Sequence, residues 1–425
     1  MLDMLLDLLK ASGASAWEVT DTKETGWEFY FIRCRLDQNR ARKVEHITVK
    51  VYVASPDGQF LGSASGEVPP TASREEAEKL IADLKLSASF VRNPAYTLRA
   101  GRREEPRVSE ADVRKNAADF IRTVRSLPET KDCDLNSCEI FTSAVTRRFV
   151  TSGGIDVTSV YPSSMLEAVV NARDEKHEIE LYRMYHSGSC GEEQLRRDLT
   201  ETMRYGVDRL KTVPTPALGQ ADVVFSTDAA LEIYGWFLDR LSTGMIFQRI
   251  SDWEKGKPVA DDLRGDRLTL KAVRELPNSS ANAAYDSEGA PVRDLTLIED
   301  GVVKAHWGNR QFSQYLGEKD CFIVGNAVVS GGTRTEEELR QGDFLEIVEF
   351  SDFQVSPMNG DVAGEIRLAY WHHGGEVTPV TGGSISGSMA DYVHDLTASG
   401  AQRQFDKWLI PAVTRLKNVK LAGVE

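Results

Sequence analysis

Residues 174–186 read DEKHEIELYRMYH, a His-Glu pair followed by a second histidine, which are the residue types of a zinc-dependent hydrolase. In a helical zinc site two imidazoles about four or five positions apart leave one face to reach one tetrahedral ion, while the glutamate activates the bound water. Here those positions after His177 hold Leu181 and Tyr182, and His186 is nine residues on. At about 100° per residue that offset points to the opposite side of a helix, and an odd offset does the same in a strand. The alternation of Ile179, Leu181 and Tyr185 with Glu178 and Glu180 predicts a strand with its charges turned to water.

Other residues of catalytic type meet similar objections. His372 and His373 are adjacent in AYWHHGGEV and would leave opposite faces of a strand. Asp286 and Glu288 in YDSEG could serve acid/base or metal chemistry, but DSEG reads as a turn before the strand VRDLTLI. GGSISGSM, residues 382–389, comes nearest to a nucleophile elbow, with its serines at the wrong offsets from its glycines; it reads as a turn in close contact with another backbone. Neither GxGxxG nor a GxxxxGK[ST] phosphate loop occurs. The spacing of Cys133 and Cys138 misses CxxC, and Cys34, Cys190 and Cys321 are too scattered for a disulfide framework, so free thiols in a reducing cytoplasm are expected. Residue types and spacing alone supply no self-sufficient catalytic constellation.

The elements that would have to position any site are those of a folded, soluble α+β protein: 425 residues, 41% hydrophobic and 27% charged. A net charge of −14 argues against a nucleic-acid partner, and the best basic cluster, LRAGRREEPR at 98–107, is diluted by its own glutamates and reads as a solvated connector. MLDMLLDLLKASG is broken by Asp3 and Asp7 and predicts a short amphipathic helix rather than a signal peptide; no stretch is apolar enough for a membrane span. Alternating strands follow in WEVTDTK, WEFYFIRCRL and KVEHITVKVYVA, and SPDGQFLGSASGEV supplies a turn. Ser73 then caps a helix, a second helix is expected from a box formed by Ser109 and Asp112, and strands resume through 186 with a turn at Gly153-Gly154. A long helix is expected from Glu192 to Leu210, striped by Leu195, Leu199, Met203, Val207 and Leu210. TVPTPALGQAD then marks the best boundary, giving an amino-terminal α+β domain of 1–212, with a sub-boundary near 98–108, and a β-rich domain of 213–425. The latter opens with DVVFS and a helix from Thr227 or Asp228 whose apolar stripe is Leu231, Tyr234, Leu238 and Leu241.

The second half resembles the TldD/PmbA family, also called modulators of DNA gyrase. AAYDSEGAPVRDLTLIEDGVVKAHWGNRQFSQYLG (283–317) is similar to its central signature, VGNAVV to a following segment, and MNGDVAGEIRLAYWHHGGEVTPVTGGSISGSM to its ending, with Ser388 in place of the usual Asn. FVTSGGIDVTSVYPSSMLEAVVNA resembles an upstream strand pair. The resemblance implies a pair of related subunits, one binding zinc through an HExxxH helix and a later cysteine. In the zinc-bearing type that helix follows a strand equivalent to DVVFS. Here no histidine lies between His186 and His306 and no cysteine follows Cys321, so this chain resembles the PmbA/TldE type.

That type implies the non-metal subunit of a heterodimeric zinc metallopeptidase cutting unfolded or short peptides, with the zinc and the general base in a TldD-like partner. This chain is then expected to carry no catalytic residue, metal ligand or cofactor of its own. Gly360, Asp361, Gly364, Ser384, Ser386 and Gly387 are the candidate peptide contacts on glycine-rich strand ends. Two alternatives accompany this reading: a self-associated homodimer that binds peptides or proteins without cutting them, and an enzyme with replacement ligands drawn from His177, His306, His372 or the DSEG carboxylates.

Overall fold

The structure, a computed structural model, describes residues 1–109, 112–319 and 321–424. Its first 209 residues run α1 (Leu2–Ala11), β1 (Ala16–Ile32), β2 (Arg35–Ala54), β3 (Leu61–Val68), α2 (Arg74–Ser89), β4 (Arg107–Val108), α3 (Val113–Arg125), β5 (Cys133–Thr151), β6 (Asp156–Arg173), β7 (Glu178–Ser187) and α4 (Glu192–Arg209). The strands form one sheet in the order β3-β2-β1-β5-β6-β4, with β7 also paired to β6. Apart from the parallel β4–β6 contact its pairs are antiparallel, and along β7 the inward Ile179, Leu181 and Tyr185 alternate with the exposed Glu178 and Glu180 as the sequence predicts, with Tyr182 and Met184 also exposed. α1 and α2 cover one end through Leu5, Leu9, Ile81 and Leu84 against Val19, Ile47 and Val49. α3 and α4 cover the other through Phe120, Val124, Leu195, Leu199 and Met203 against Phe31, Ile140, Leu166 and Val170.

The expected cap at Ser73 is a full capping box: its hydroxyl accepts from the Glu76 amide at 3.2 Å and the Glu76 carboxylate accepts from the Ser73 amide at 2.7 Å. The box expected at Ser109 and Asp112 is not formed. Asp112 is itself the N-cap of α3, accepting from the Lys115 amide at 2.9 Å, while Ser109 donates its amide to Val160 and continues the sheet. Residues 110 and 111 of the expected helix lie outside the described residues.

The rest of the chain holds β8 (Val213–Pro214), β9 (Gly219–Phe225), α5 (Ala230–Arg240), α6 (Thr243–Phe247), β10 (Thr269–Val273), β11 (Leu295–Glu299), β12 (Val302–Val303), α7 (Arg310–Tyr315), β13 (Asn326–Ser330), α8 (Glu336–Leu339), β14 (Phe344–Val355), β15 (Asp361–His373), β16 (Glu376–Thr381), β17 (Ser384–Ser388), α9 (Met389–Tyr392), β18 (Thr397–Ala398), β19 (Gln402–Phe405), β20 (Trp408–Pro411) and β21 (Thr414–Ala422). One sheet runs β12-β11-β10-β13-β20-β19 and the other β14-β9-β21-β17-β15-β16-β8. In the latter β14 also pairs with β15, so β14, β9, β21, β17 and β15 close into a ring without an open edge. The fold is α+β, and no described helix is long and apolar enough to cross a membrane.

α5 starts later than expected. Thr227 and Asp228 form a tight turn, their carbonyls accepting the amides of Ala230 and Leu231 at 3.2 and 2.9 Å. Its buried face is wider than the expected stripe: Tyr234 and Leu241 are fully buried and Leu231 and Leu238 part-buried against the core as expected, and Ile233, Trp236 and Phe237 are inside as well. The difference arises because α5 packs against both the ring and the β20 sheet, which widens its buried face beyond a single stripe.

Candidate functional site

Where α4 and β7 meet α5 and the β19–β20 hairpin, a cleft of about 500 Å³ opens between the two halves of the fold. β9 delivers Thr227 and Asp228 to its wall, and α5 presents Leu231 and Glu232 with Gly235 about one turn beyond them on the same side of the helix. Across the cleft, α4 presents Asp198, Glu201, Thr202 and Tyr205 by the same spacing. Arg403 of β19 joins the halves: its Nη2 lies 2.8 Å from Asp198 Oδ1 and 2.9 Å from Glu201 Oε2, and its Nη1 donates to the Ser226 carbonyl at 3.2 Å. Burial pushes the Asp198 carboxyl up from its ordinary value in spite of the Arg403 charge. Burial likewise raises the Tyr185 phenol, which is hydrogen-bonded to Thr202 at 3.0 Å. Thr227 is only 7% exposed and its hydroxyl has no hydrogen-bond partner.

The residues suspected of replacing lost metal ligands are not brought together. His177 sits at an exposed turn beside Asp174. His306 is buried, its Nδ1 2.9 Å from Glu318 and its Nε2 3.0 Å from the Trp253 carbonyl. His372 stacks on Phe344 with ring centroids 4.1 Å apart, and burial depresses its pKa, whereas His373 points away to Asp343. The DSEG segment is a turn whose carboxylates bind backbone: Asp286 accepts the amides of Glu288, Ala290 and Ile323, each at 2.8 Å, and Glu288 accepts that of Arg310 at 2.7 Å. Burial raises Glu288 above the usual carboxylate range. Among the described residues no three of His, Cys, Asp and Glu are grouped to hold a metal ion, and α5 has no histidine or cysteine to offer one. The five cysteines are free, and burial pushes the Cys34 and Cys133 thiols up to about 11, away from reactive thiolate.

Residues 218–423 match the PmbA/TldA metallopeptidase C-terminal domain. The second half of the chain therefore carries a domain of the TldD/PmbA family. Its fold is similar over 99% of its length to that of TldE from Thermococcus kodakarensis (TM-score 0.75, 16% identity, 100% of that chain). It is also similar to that of a Thermotoga maritima protein named as a modulator of a DNA gyrase (TM-score 0.77, 16% identity, 99% of both chains). An uncharacterised protein of Methanocaldococcus jannaschii is 21% identical over 63% of this chain, and a metalloprotease TldD homolog of Buchnera aphidicola is 23% identical over 36% of it. These matches span 64% and 34% of the relatives' own lengths.

Within this TldD/PmbA fold the six candidate peptide contacts lie together on β15, β17 and the turn before them, and none of them lines the cleft. β17 is paired on both sides, to β15 and to β21, so Ser384 and Ser386 have no open backbone edge. The glycines are explained by packing. A Cβ on Gly364 would stand 2.7 Å from the rings of Phe350 and Phe353, and one on Gly387 would stand 1.9 Å from the Tyr392 hydroxyl. The cleft residues Asp198, Glu201, Thr227, Asp228 and Arg403 were missed by motif reading. The signal available was the second stripe of α4, where Asp198, Glu201, Thr202 and Tyr205 repeat at helical spacing beside the apolar one.

Proposed function

We propose that this chain is the non-metal, TldE-type subunit of a heterodimeric zinc metallopeptidase of the cytoplasm, acting with a zinc-bearing TldD-like partner on unfolded or short peptides. The observation that carries the reading is α5. It follows β9, where the family resemblance puts the histidine helix of the zinc-bearing type, yet it and the turn before it present Leu231, Glu232, Gly235 and Asp228 to the cleft in place of two histidines. Two imidazoles and a thiolate are what hold zinc and lower the pKa of its water, and a leucine and a glycine can do neither. What this chain contributes is a wall, a cleft and a partner surface.

The test has two stages. Elemental analysis of protein purified without chelators should find zinc well below one ion per chain. Mixing with a zinc-bearing family member should then raise cleavage of a fluorogenic unfolded peptide above that of either protein alone. Near-stoichiometric zinc in this chain, or no gain on mixing, overturns the proposal.

A further inference from the structure

Five consecutive residues of β7, 183–187, line the cleft. Side chains of a strand alternate between faces, so neighbours of both parities border one cavity only where the edge of the strand turns toward it. β7 is paired to β6 along one edge, and among the described residues no strand pairs with the other. An open strand edge on a cavity is a template for an extended peptide backbone.

Charge decides what such a peptide would carry. Five carboxylates (Asp198, Glu201, Asp228, Glu232 and Asp406) line the cleft against three cations. Of those cations, Arg403 is bound to Asp198 and Glu201, Arg183 is bound to Glu349 of β14, and Lys407 is exposed and forms no ion pair among the described residues. Asp406 is taken by the Ser280 amide and hydroxyl at 2.8 and 2.6 Å, and Glu232 accepts weakly from the Val355 amide at 3.4 Å. Asp228 is exposed and hydrogen-bonds through its side chain to none of the described residues, although Arg183 feels its charge. Beside it is the partnerless hydroxyl of Thr227, on a side chain that is more than nine-tenths buried. An unmet buried hydroxyl is unfavourable in the free protein and is relieved by a ligand donor.

We propose that this cleft binds an extended peptide along the outer edge of β7, with a lysine or arginine side chain of that peptide seated at Asp228 and Thr227. The inference rests on the peptide-handling reading above and assigns this chain a selectivity of its own, for basic segments.

The test is fluorescence anisotropy with the purified full chain and labelled octapeptides of Ala, Gly and Ser that differ only in a central Arg, norleucine or Glu. The Arg peptide should bind at least about tenfold more tightly than the Glu peptide, with the gap narrowing as salt is raised. Asp228→Asn should weaken the Arg peptide about tenfold and leave the norleucine peptide unchanged. Thr227→Val should weaken the Arg peptide while raising the thermal midpoint, the opposite of what loss of a structural hydrogen bond would do. N-methylation of alternate amides should abolish binding if the backbone pairs with β7. Equal binding of the Arg and Glu peptides, or an Asp228→Asn protein that folds and keeps the preference, overturns the inference. Because the readout is binding to this chain alone, such a result is independent of the mixing assay, and a failed mixing assay beside selective binding sinks the peptidase reading only.

Discussion

Arg183 and Glu349 offer a quantitative check on how the two halves are held. Arg183 lies on β7 and Glu349 on β14, and their side chains are 18% and 9% exposed. The pair is bidentate, with one contact of 2.8 Å between Nη1 and Oε1. Burial works against the guanidinium charge, but the hydrogen bonds and charge of Glu349 more than offset it and hold the Arg183 pKa above its ordinary value. Arg183→Met would leave a buried carboxylate without its cation, which costs about 3–5 kcal/mol. Arg209 also acts on the Glu349 charge and places the loss toward the lower end. At about 2 cal/mol/K per residue, 425 residues melting together carry an unfolding entropy of roughly 0.9 kcal/mol/K, so the midpoint should fall by about 3–5 °C. Differential scanning calorimetry of Arg183→Met, Glu349→Met and the double variant reads this directly. The double variant should recover most of the loss, because two apolar side chains of similar volume replace the pair. A fall of about 1 °C or less in the single variants would be the behaviour of a solvent-screened pair, and a double variant as unstable as the sum of the singles would show no coupling; either result refutes the reasoning.

Three further expectations follow from particular contacts. Tyr234→Phe removes the 2.7 Å hydrogen bond to Thr414, which is fully buried, and should cost about 1–3 kcal/mol, with Tyr234→Phe/Thr414→Val losing less than the sum in a denaturation cycle. Gly364→Ala drives a methyl against Phe350 and Phe353 and should cost about 1–3 kcal/mol by denaturant midpoint while leaving octapeptide affinity within twofold or so. Asp156 is held below the usual carboxylate range by its hydrogen bonds from Arg148, at 2.8 and 2.9 Å. A depressed folded pKa stabilises above the unfolded value of about 3.9 and is lost as pH falls through the folded one, so the midpoint gap between wild type and Arg148→Gln should be full near neutrality and should close in acid. A gap that persists at pH ~2 would contradict that linkage.

Local features could be read from the sequence because they are local in cause. β7 followed from the alternation of Leu181 with Glu180, and the α2 start from Ser73 as its cap. The α3 start was misplaced because Ser109 and Asp112 both suit a cap, and only the sheet, which engages the Ser109 amide, decides between them. The stripe expected on α5 packs on the core but is only part of its buried face, because periodicity assumes one packing partner and the helix has two. The ring depends on irregular register between β14 and β15, with shifts from Ile347 to Phe353 that no alternation pattern announces. The cleft joins Asp198 to Arg403, 205 residues apart, so its chemistry appears only when the chain is folded.

The ring also sets a timetable for synthesis. β9 needs β21 as a neighbour, and about 190 residues separate the end of one from the start of the other. At about 5–20 residues per second, β9 emerges from the ribosome roughly 10–40 s before its partner strand exists. During that interval the Val223–Phe225 stretch, fully buried in the finished ring, is an apolar strand with unpaired backbone. The nascent chain must therefore be shielded over this segment, and a ribosome stalled before β21 should release a product that aggregates through β9 rather than a stable, smaller domain.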